Sequence, residues 1–203
     1  MIEYTGERVI PHLMKPTNGL LLEHIARYQF AILYTKGRVL DLACGSGFGS
    51  QLVAKAAKKK IDEIIGVDID PAIIQYAQGT HYHPKVTFCE GDAADPSLPD
   101  KLGTFDCIMS FETLEHIKEE EQFLTNVYKM LKPGGTLVIS TPFGLGRGKP
   151  SSEPFHVHQL TFDEFHDLFH DYSEAEFFYQ RGVLVETKRE GMHYPLGIAV
   201  CIK

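Results

Sequence analysis

"VLDLACGSGFGS", residues 39–50, decides how this chain is read. An apolar strand runs into a turn with glycines at 45, 47 and 49, and a helix opens inside that turn. A strand, a glycine turn and a helix together make a nucleotide-cofactor loop. Two details depart from the dinucleotide pattern G-x-G-x-x-G/A. The spacing is G-x-G-x-G with Ser50 at the third position, and Asp41 precedes the glycines. At an effective dielectric near 20, two like charges about 4 Å apart repel by roughly 4 kcal/mol, so a carboxylate disfavours a neighbouring pyrophosphate. A phosphate-free nucleoside with cationic centres escapes that penalty. The alternative for Asp41 is a carboxylate that only bonds neighbouring turn amides.

Working outward, strands and helices alternate. "TNGLLLEHIARYQFAILYT" has helical apolar spacing with Asn18 as its cap. "RVLDLA", "EIIGVDI", "KVTFCEGD", "FDCIMSF" and "GTLVISTPF" read as strands. Between them lie the helices "FGSQLVAKAAKKK", "PAIIQYAQ" and "EEEQFLTNVYKML", the last stopped by "KPGG". Residues 142–160 are an irregular segment rich in Gly and Pro. "TFDEFHDLFHDY" is helical, and "SEAEFFYQRG" and "PLGIAVCIK" read as closing strands. The alternation predicts a mostly parallel sheet covered on both faces, with ligands at the carboxyl ends of its strands. That edge gathers Asp41 to Gly49, Asp68, Asp92, Ser110 to His116 and Thr141 to Gly144. Asp68 is placed to accept from ribose hydroxyls. Ile69 is placed to pack on an adenine face. Asp92 either faces an adenine amino group, with Ala93 offering a backbone amide, or is a plain loop acid.

The 203 residues suffice for one substantial core, and 43% are apolar, as in globular chains. A formal charge of −7 argues against a nucleic-acid partner. No stretch approaches a membrane span, and "MIEYTGERVI" does not read as a signal peptide. Cys44, Cys89, Cys107 and Cys201 are scattered, as expected of reduced thiols in a cytoplasmic protein. Oligomeric state is not legible.

The stretches "VLDLACGSGFGS", "IIGVDIDPAIIQYAQ", "VTFCEGDAADPSLP", "FDCIMSFETLEHI" and "LKPGGTLVISTPF" resemble, in order and spacing, the class I S-adenosylmethionine-dependent methyltransferases. The likeness covers roughly residues 37–143 and is nearest to the small-molecule branch, similar to the ubiquinone-pathway O-methyltransferases. It implies an α/β, Rossmann-like, doubly wound sheet of seven strands, mostly parallel with the last antiparallel. It implies one methyltransferase domain over 1–203: a helical cap segment (1–36), a cofactor-binding core (37–141), a substrate-side loop (142–160), and a closing helix and strands (161–203). The implied cofactor is S-adenosyl-L-methionine and the partner a small-molecule methyl acceptor. Ala43, Gly45, Gly47 and Gly49 would pass beneath the methionine portion, with Asp41 helping to place its ammonium. Asp68 would hold the ribose, and Ile69, Asp92 and Ala93 would frame the adenine. Ser110 and Phe111 would lie near the transferable methyl. Arg8 would meet the methionine carboxylate, and Tyr4, His24 or Arg27 would close the site.

Methyl transfer to a hydroxyl needs a group that takes its proton. His116, in "LEHI", is the first candidate base, followed by His156 and His158 in "SSEPFHVHQLT". His-x-His with Glu112 or Glu115 would permit metal ligation, but the rest of the spacing supports no metal. Tyr128 and Lys132 have the Y-x-x-x-K spacing of short-chain dehydrogenases, a rival reading weakened by "PGG" directly after Lys132. A non-catalytic S-adenosylmethionine-binding protein would share the same cofactor motifs.

Overall fold

The computed structural model describes residues 8–151 and 153–203; Tyr4, one of the expected closing residues, lies outside them. In chain order the elements are α1 (Gly19–Ala31), β1 (Gly37–Leu42), α2 (Phe48–Ala56), β2 (Ile61–Asp68), α3 (Pro71–Thr80), β3 (Val86–Glu90) and α4 (Leu98–Leu102). There follow β4 (Phe105–Phe111), α5 (Glu120–Met130), β5 (Leu131–Pro142), α6 (Phe162–Asp167), β6 (Glu174–Arg181), β7 (Leu184–Glu186) and β8 (Leu196–Ile202). They form one sheet in the order β3-β2-β1-β4-β5-β8-β6-β7. The first five strands pair in parallel; β8 is antiparallel to β5 and to β6, and β7 to β6.

The sheet has eight strands where seven were expected. The extra one, β7, returns along β6 after a two-residue loop, Arg181 pairing with Leu184. Gly182 opens that loop at φ 58, the glycine-first arrangement that suits a tight hairpin. Helix limits also differ. α2 ends at Ala56, so Lys58 to Lys60 stand in the turn beyond it. α6 covers only Phe162–Asp167 of the longer helical pattern, although Thr161 and Glu164 make a reciprocal capping box at its start. "KPGG" lies inside β5 rather than before it.

Alternation along β1 sorts its side chains to two cores. Leu40 and Leu42 join Phe105, Phe123, Val127 and Phe165 on one face. Val39 joins Tyr28, Val53, Ile64 and Val200 on the other. Asp41 shares the parity of Val39 and therefore points between α1 and α2. Asn18 caps α1 by accepting from the Leu21 N–H, and Asp70 caps α3 ahead of Pro71. Among the described residues no helix is long and apolar enough to cross a membrane.

Candidate active site

β1 is flanked by β2 on one side and β4 on the other, so the connections diverge there and leave a crevice at the strands' carboxyl ends. A cavity of about 550 Å³ fills that crevice. Two non-glycine residues at its lip adopt the left-handed region, Ala43 after β1 (φ 61) and Glu112 after β4 (φ 49). Each such conformation costs on the order of 1–3 kcal/mol and persists where the surroundings enforce it, which marks functional sites.

At the β2–β3 end, Asp68 lines the cavity. Its Oδ2 accepts from the Gly45 N–H at 2.9 Å and its Oδ1 from the Asp70 N–H at 3.1 Å. A carboxylate offers about four acceptor positions, so two remain for a ligand's hydroxyls. Ile69 lies on the wall at 63% exposure, an apolar surface left open. Asp92 and Ala93 continue this wall, with Asp92 Oδ1 accepting from the Ala94 N–H at 2.8 Å. Arg8 also lines the cavity, and its guanidinium meets Asp70 at 2.8 Å.

Four of the expected cofactor-binding residues lie off the cavity wall. Asp41 is 1% exposed; it accepts from the Ser50 hydroxyl at 2.5 Å and from the Tyr28 hydroxyl at 3.2 Å. Burial raises its carboxyl to about 6. Its bonds run to side chains of α1 and α2 rather than to turn amides. Gly49 leaves room for the aromatic ring of that same Tyr28, since a Cβ there would land inside the ring. Gly47, at φ 80, abuts Phe88 in the same way. Ser110 is fully buried and donates to Thr113 Oγ1 at 3.1 Å. Gly45 differs from the other two loop glycines: it lines the cavity, and a Cβ on it would meet nothing within 4 Å. Tyr28, absent from the sequence expectations, both lines the cavity and braces Asp41. Its signal was the helical spacing that places it one turn after His24.

The β4 end is made by side chains from distant elements. Arg27, 1% exposed, donates to Glu112 Oε1 at 2.9 Å and to Gln180 Oε1 on β6 at 2.8 Å. His24 Nδ1 lies 2.9 Å from Arg27 and its Nε2 3.2 Å from Glu112 Oε2. Burial, reinforced by the Arg27 charge, holds this imidazole down to about 4. The Leu20 carbonyl also lies 2.9 Å from Nδ1, so a proton on Nε2 serves Arg27 and Glu112 while a proton on Nδ1 serves Leu20. Glu115 is 1% exposed and accepts from the Thr141 hydroxyl at 3.0 Å; burial lifts its carboxyl to about 8. Phe111 and His116 line the cavity, and His156 packs edge-on against His116 at 4.9 Å between ring centroids. His158 separates from this pair: its Nε2 lies 3.0 Å from Glu120 Oε2, beside a second hollow. Tyr128 and Lys132 sit at the opposite end of the sheet, where Lys132 binds Asp106 at 2.7 Å near the start of β4. That placement removes them from any cofactor chemistry at the cavity.

A methyltransferase-domain family matches residues 34–184. A "Probable S-adenosylmethionine-dependent methyltransferase" of Mycolicibacterium smegmatis is 34% identical over 169 residues, 81% of this chain and 62% of that protein. The chain thus spans less than two thirds of that relative's length. Ajmaline N-methyltransferase of Rauvolfia serpentina is 34% identical over 105 residues, 50% of this chain and 34% of its own. The crystal structure of a SAM-dependent methyltransferase from Aquifex aeolicus superposes with a TM-score of 0.66 at 19% identity, covering 95% of this chain and 96% of that one; at that identity the likeness speaks for the fold alone.

Proposed function

The chain belongs to the S-adenosylmethionine-dependent methyltransferases, and from that premise we propose that it transfers a methyl group to an oxygen of a small-molecule acceptor by in-line displacement. The observation that carries this reading is the cavity between β1 and β4, polar at Asp68, apolar beside it, and extended past Phe111 to a second polar end. The donor set suits the cofactor. Asp68 has acceptor positions for two ribose hydroxyls, Ile69 and Ala93 offer apolar walls to an adenine, and Gly45 opens space where the chain turns. Bound there, S-adenosyl-L-methionine supplies a methyl on a sulfonium, an excellent leaving group.

The chain's own residues then align and enclose. Asp68 fixes the nucleoside, and Arg8 is the cation at the rim on that side, shared with Asp70. Phe111 and Phe48 keep the middle of the cavity apolar, which excludes water. Glu112, clamped by Arg27 and His24, presents a fixed carboxylate near the acceptor end. Of the three histidines, His116 and His156 belong to that end, and His158 does not. A small acceptor fits the cavity's size. The relative from Rauvolfia, named for N-methylation of ajmaline, supports the small-molecule class without extending to oxygen.

Calorimetry with S-adenosylhomocysteine and with NADH tests the premise: the thioether nucleoside is expected to bind and NADH to give no heat. Incubation with S-adenosyl-L-methionine and a panel of phenols, hydroxy acids and amines tests the reaction. Release of S-adenosylhomocysteine with a hydroxyl acceptor supports it; binding without turnover across the panel would leave a cofactor-binding protein instead.

A further inference from the structure

Glu115, His116 and His156 come together at the acceptor end, and nothing in the cofactor reading uses all three. One ligand-type atom from each lies within 4.8 Å of the others. Glu115 and His116 lie in a short 3-10 turn after β4, Leu114–His116, and His156 lies 40 positions on in the irregular segment. Two hydrogen bonds fasten that segment to the turn, one on each side of His156. Phe155's carbonyl lies 3.1 Å from His116 Nδ1, and the Val157 N–H donates to the Glu115 carbonyl at 2.8 Å. His156 is therefore held facing the turn by its own neighbours.

We propose that these three residues form a binding site for a divalent first-row metal ion of the Zn²⁺ type. Two imidazoles and one carboxylate, with further positions left open, are a recurrent donor set for such ions. The supporting contacts match what a ligand set requires. A carbonyl beside His116 Nδ1 selects the tautomer with its proton there, which puts the lone pair on Nε2, 4.0 Å from Glu115 Oε1. Thr141 occupies Glu115 Oε2, orienting the carboxyl and leaving Oε1 for the ion. Tetrahedral ligand atoms about 2.1 Å from an ion lie about 3.4 Å apart, so at 4.0 Å between His116 Nε2 and Glu115 Oε1 closure needs a small side-chain rotation. His116 is exposed and His156 half-buried. Glu112, another carboxylate on this edge, is held by Arg27 and His24 and is not part of the set.

The consequence for methyl transfer rests on the reading above; the metal binding does not. An acceptor hydroxyl entering an open coordination position would lose its proton to water more readily. Its oxygen lone pair would then form the new O–C bond as the C–S bond breaks, with that bond's electron pair staying on sulfur. His116 would act as a ligand rather than as a base.

The test uses the full chain, stripped with EDTA and dialysed, then titrated with Zn²⁺ alone and with Mn²⁺ alone by calorimetry, with metal content read by elemental analysis. One Zn²⁺ per chain is expected, and at least tenfold weaker binding in His156→Asn and in Glu115→Gln, with His170→Asn on the far surface unchanged. Absence of stoichiometric Zn²⁺ in the wild type, or equal affinity in His156→Asn, overturns the proposal. His156 is on a surface segment, so its variant serves if Glu115→Gln fails to fold. S-adenosylhomocysteine binding measured in EDTA separates the two readings: nucleoside binding without Zn²⁺ binding sinks the metal alone, and Zn²⁺ binding without nucleoside binding sinks the cofactor assignment alone.

Discussion

At the β1–β3 end of the cavity, polar groups are satisfied within a short stretch of chain: Asp68 bonds Gly45 and Asp70, and Asp92 bonds Ala94. At the β4 end they are satisfied across the molecule: Arg27 on α1 reaches Gln180, 153 positions away, and Glu112 between them carries a left-handed backbone. The first end is a backbone cradle with side chains attached. The second is a side-chain network whose members come from α1, the turn after β4, β5 and β6. A cradle tolerates loss of one side chain at the cost of a ligand contact. A buried network does not, because each removed partner leaves another polar group without compensation.

The sharpest way to break that contrast is Arg27→Leu. It leaves Glu112 without its main cation and Gln180 Oε1 without its donor, and an expected loss of about 3 kcal/mol in urea unfolding follows from uncoupling a buried pair. S-adenosylhomocysteine affinity in the folded fraction should change far less. A large affinity loss with little destabilisation would mean that the two ends are one unit. Gly49→Ala comes next, at about 2 kcal/mol, because the new methyl must displace the Tyr28 ring and with it a hydroxyl on Asp41. Thermal unfolding reads it; an unchanged midpoint would show that Tyr28 is not confined. Asp68→Ala acts on the cradle: about 1.5 kcal/mol, or roughly tenfold, in nucleoside affinity by calorimetry. Unaltered affinity would take Asp68 out of the ribose role.

The smallest effect is in pH. Burial holds the folded Asp41 carboxyl near 6 against 3.8, so its contribution is complete below about 3.8 and is lost as pH rises to 6. Burial holds folded His24 near 4 against 6.5, so its contribution is complete above 6.5 and is lost as pH falls to 4. Between pH 4 and 6 His24 opposes Asp41, while Glu115, held by burial near 8 against 4.5, loses its contribution from pH 4.5 upward, so wild-type stability should fall gently as pH rises. His24→Gln removes one side of that balance. Its stability should then fall more steeply than the wild type's as pH rises from 4 to 6, by about 1 kcal/mol per unit more, in urea titrations at fixed pH. A profile no steeper than the wild type's would remove His24 from this account.

The cradle was legible because each of its parts is a short-range rule. A glycine turn between strand and helix, an acid ending the next strand, and alternation of strands and helices all follow from neighbours in sequence. β7 escaped notice although "RGVLVE" carries the glycine-first hairpin signal, because three residues give too little alternation to read. Asp41 was expected beside a ligand or on turn amides, and it is buried off the cavity wall instead, since nothing in the spacing says that Tyr28 and Ser50 converge on it. The histidines were legible as a group and not as individuals. His156 and His158 are two positions apart, yet one meets His116 and the other meets Glu120.

From residue order alone came the fold class and the edge where ligands collect, and the likeness of five ordered motifs to a known family supplied the cofactor. Periodicity and turn chemistry act over a few residues and survive without knowledge of what packs where. Which carboxylate faces the cavity, which is buried beneath it, and which imidazoles meet came only from packing. Those outcomes depend on the parity of each strand position and on the approach of segments more than a hundred residues apart, and contacts of that range leave no local trace in the chain.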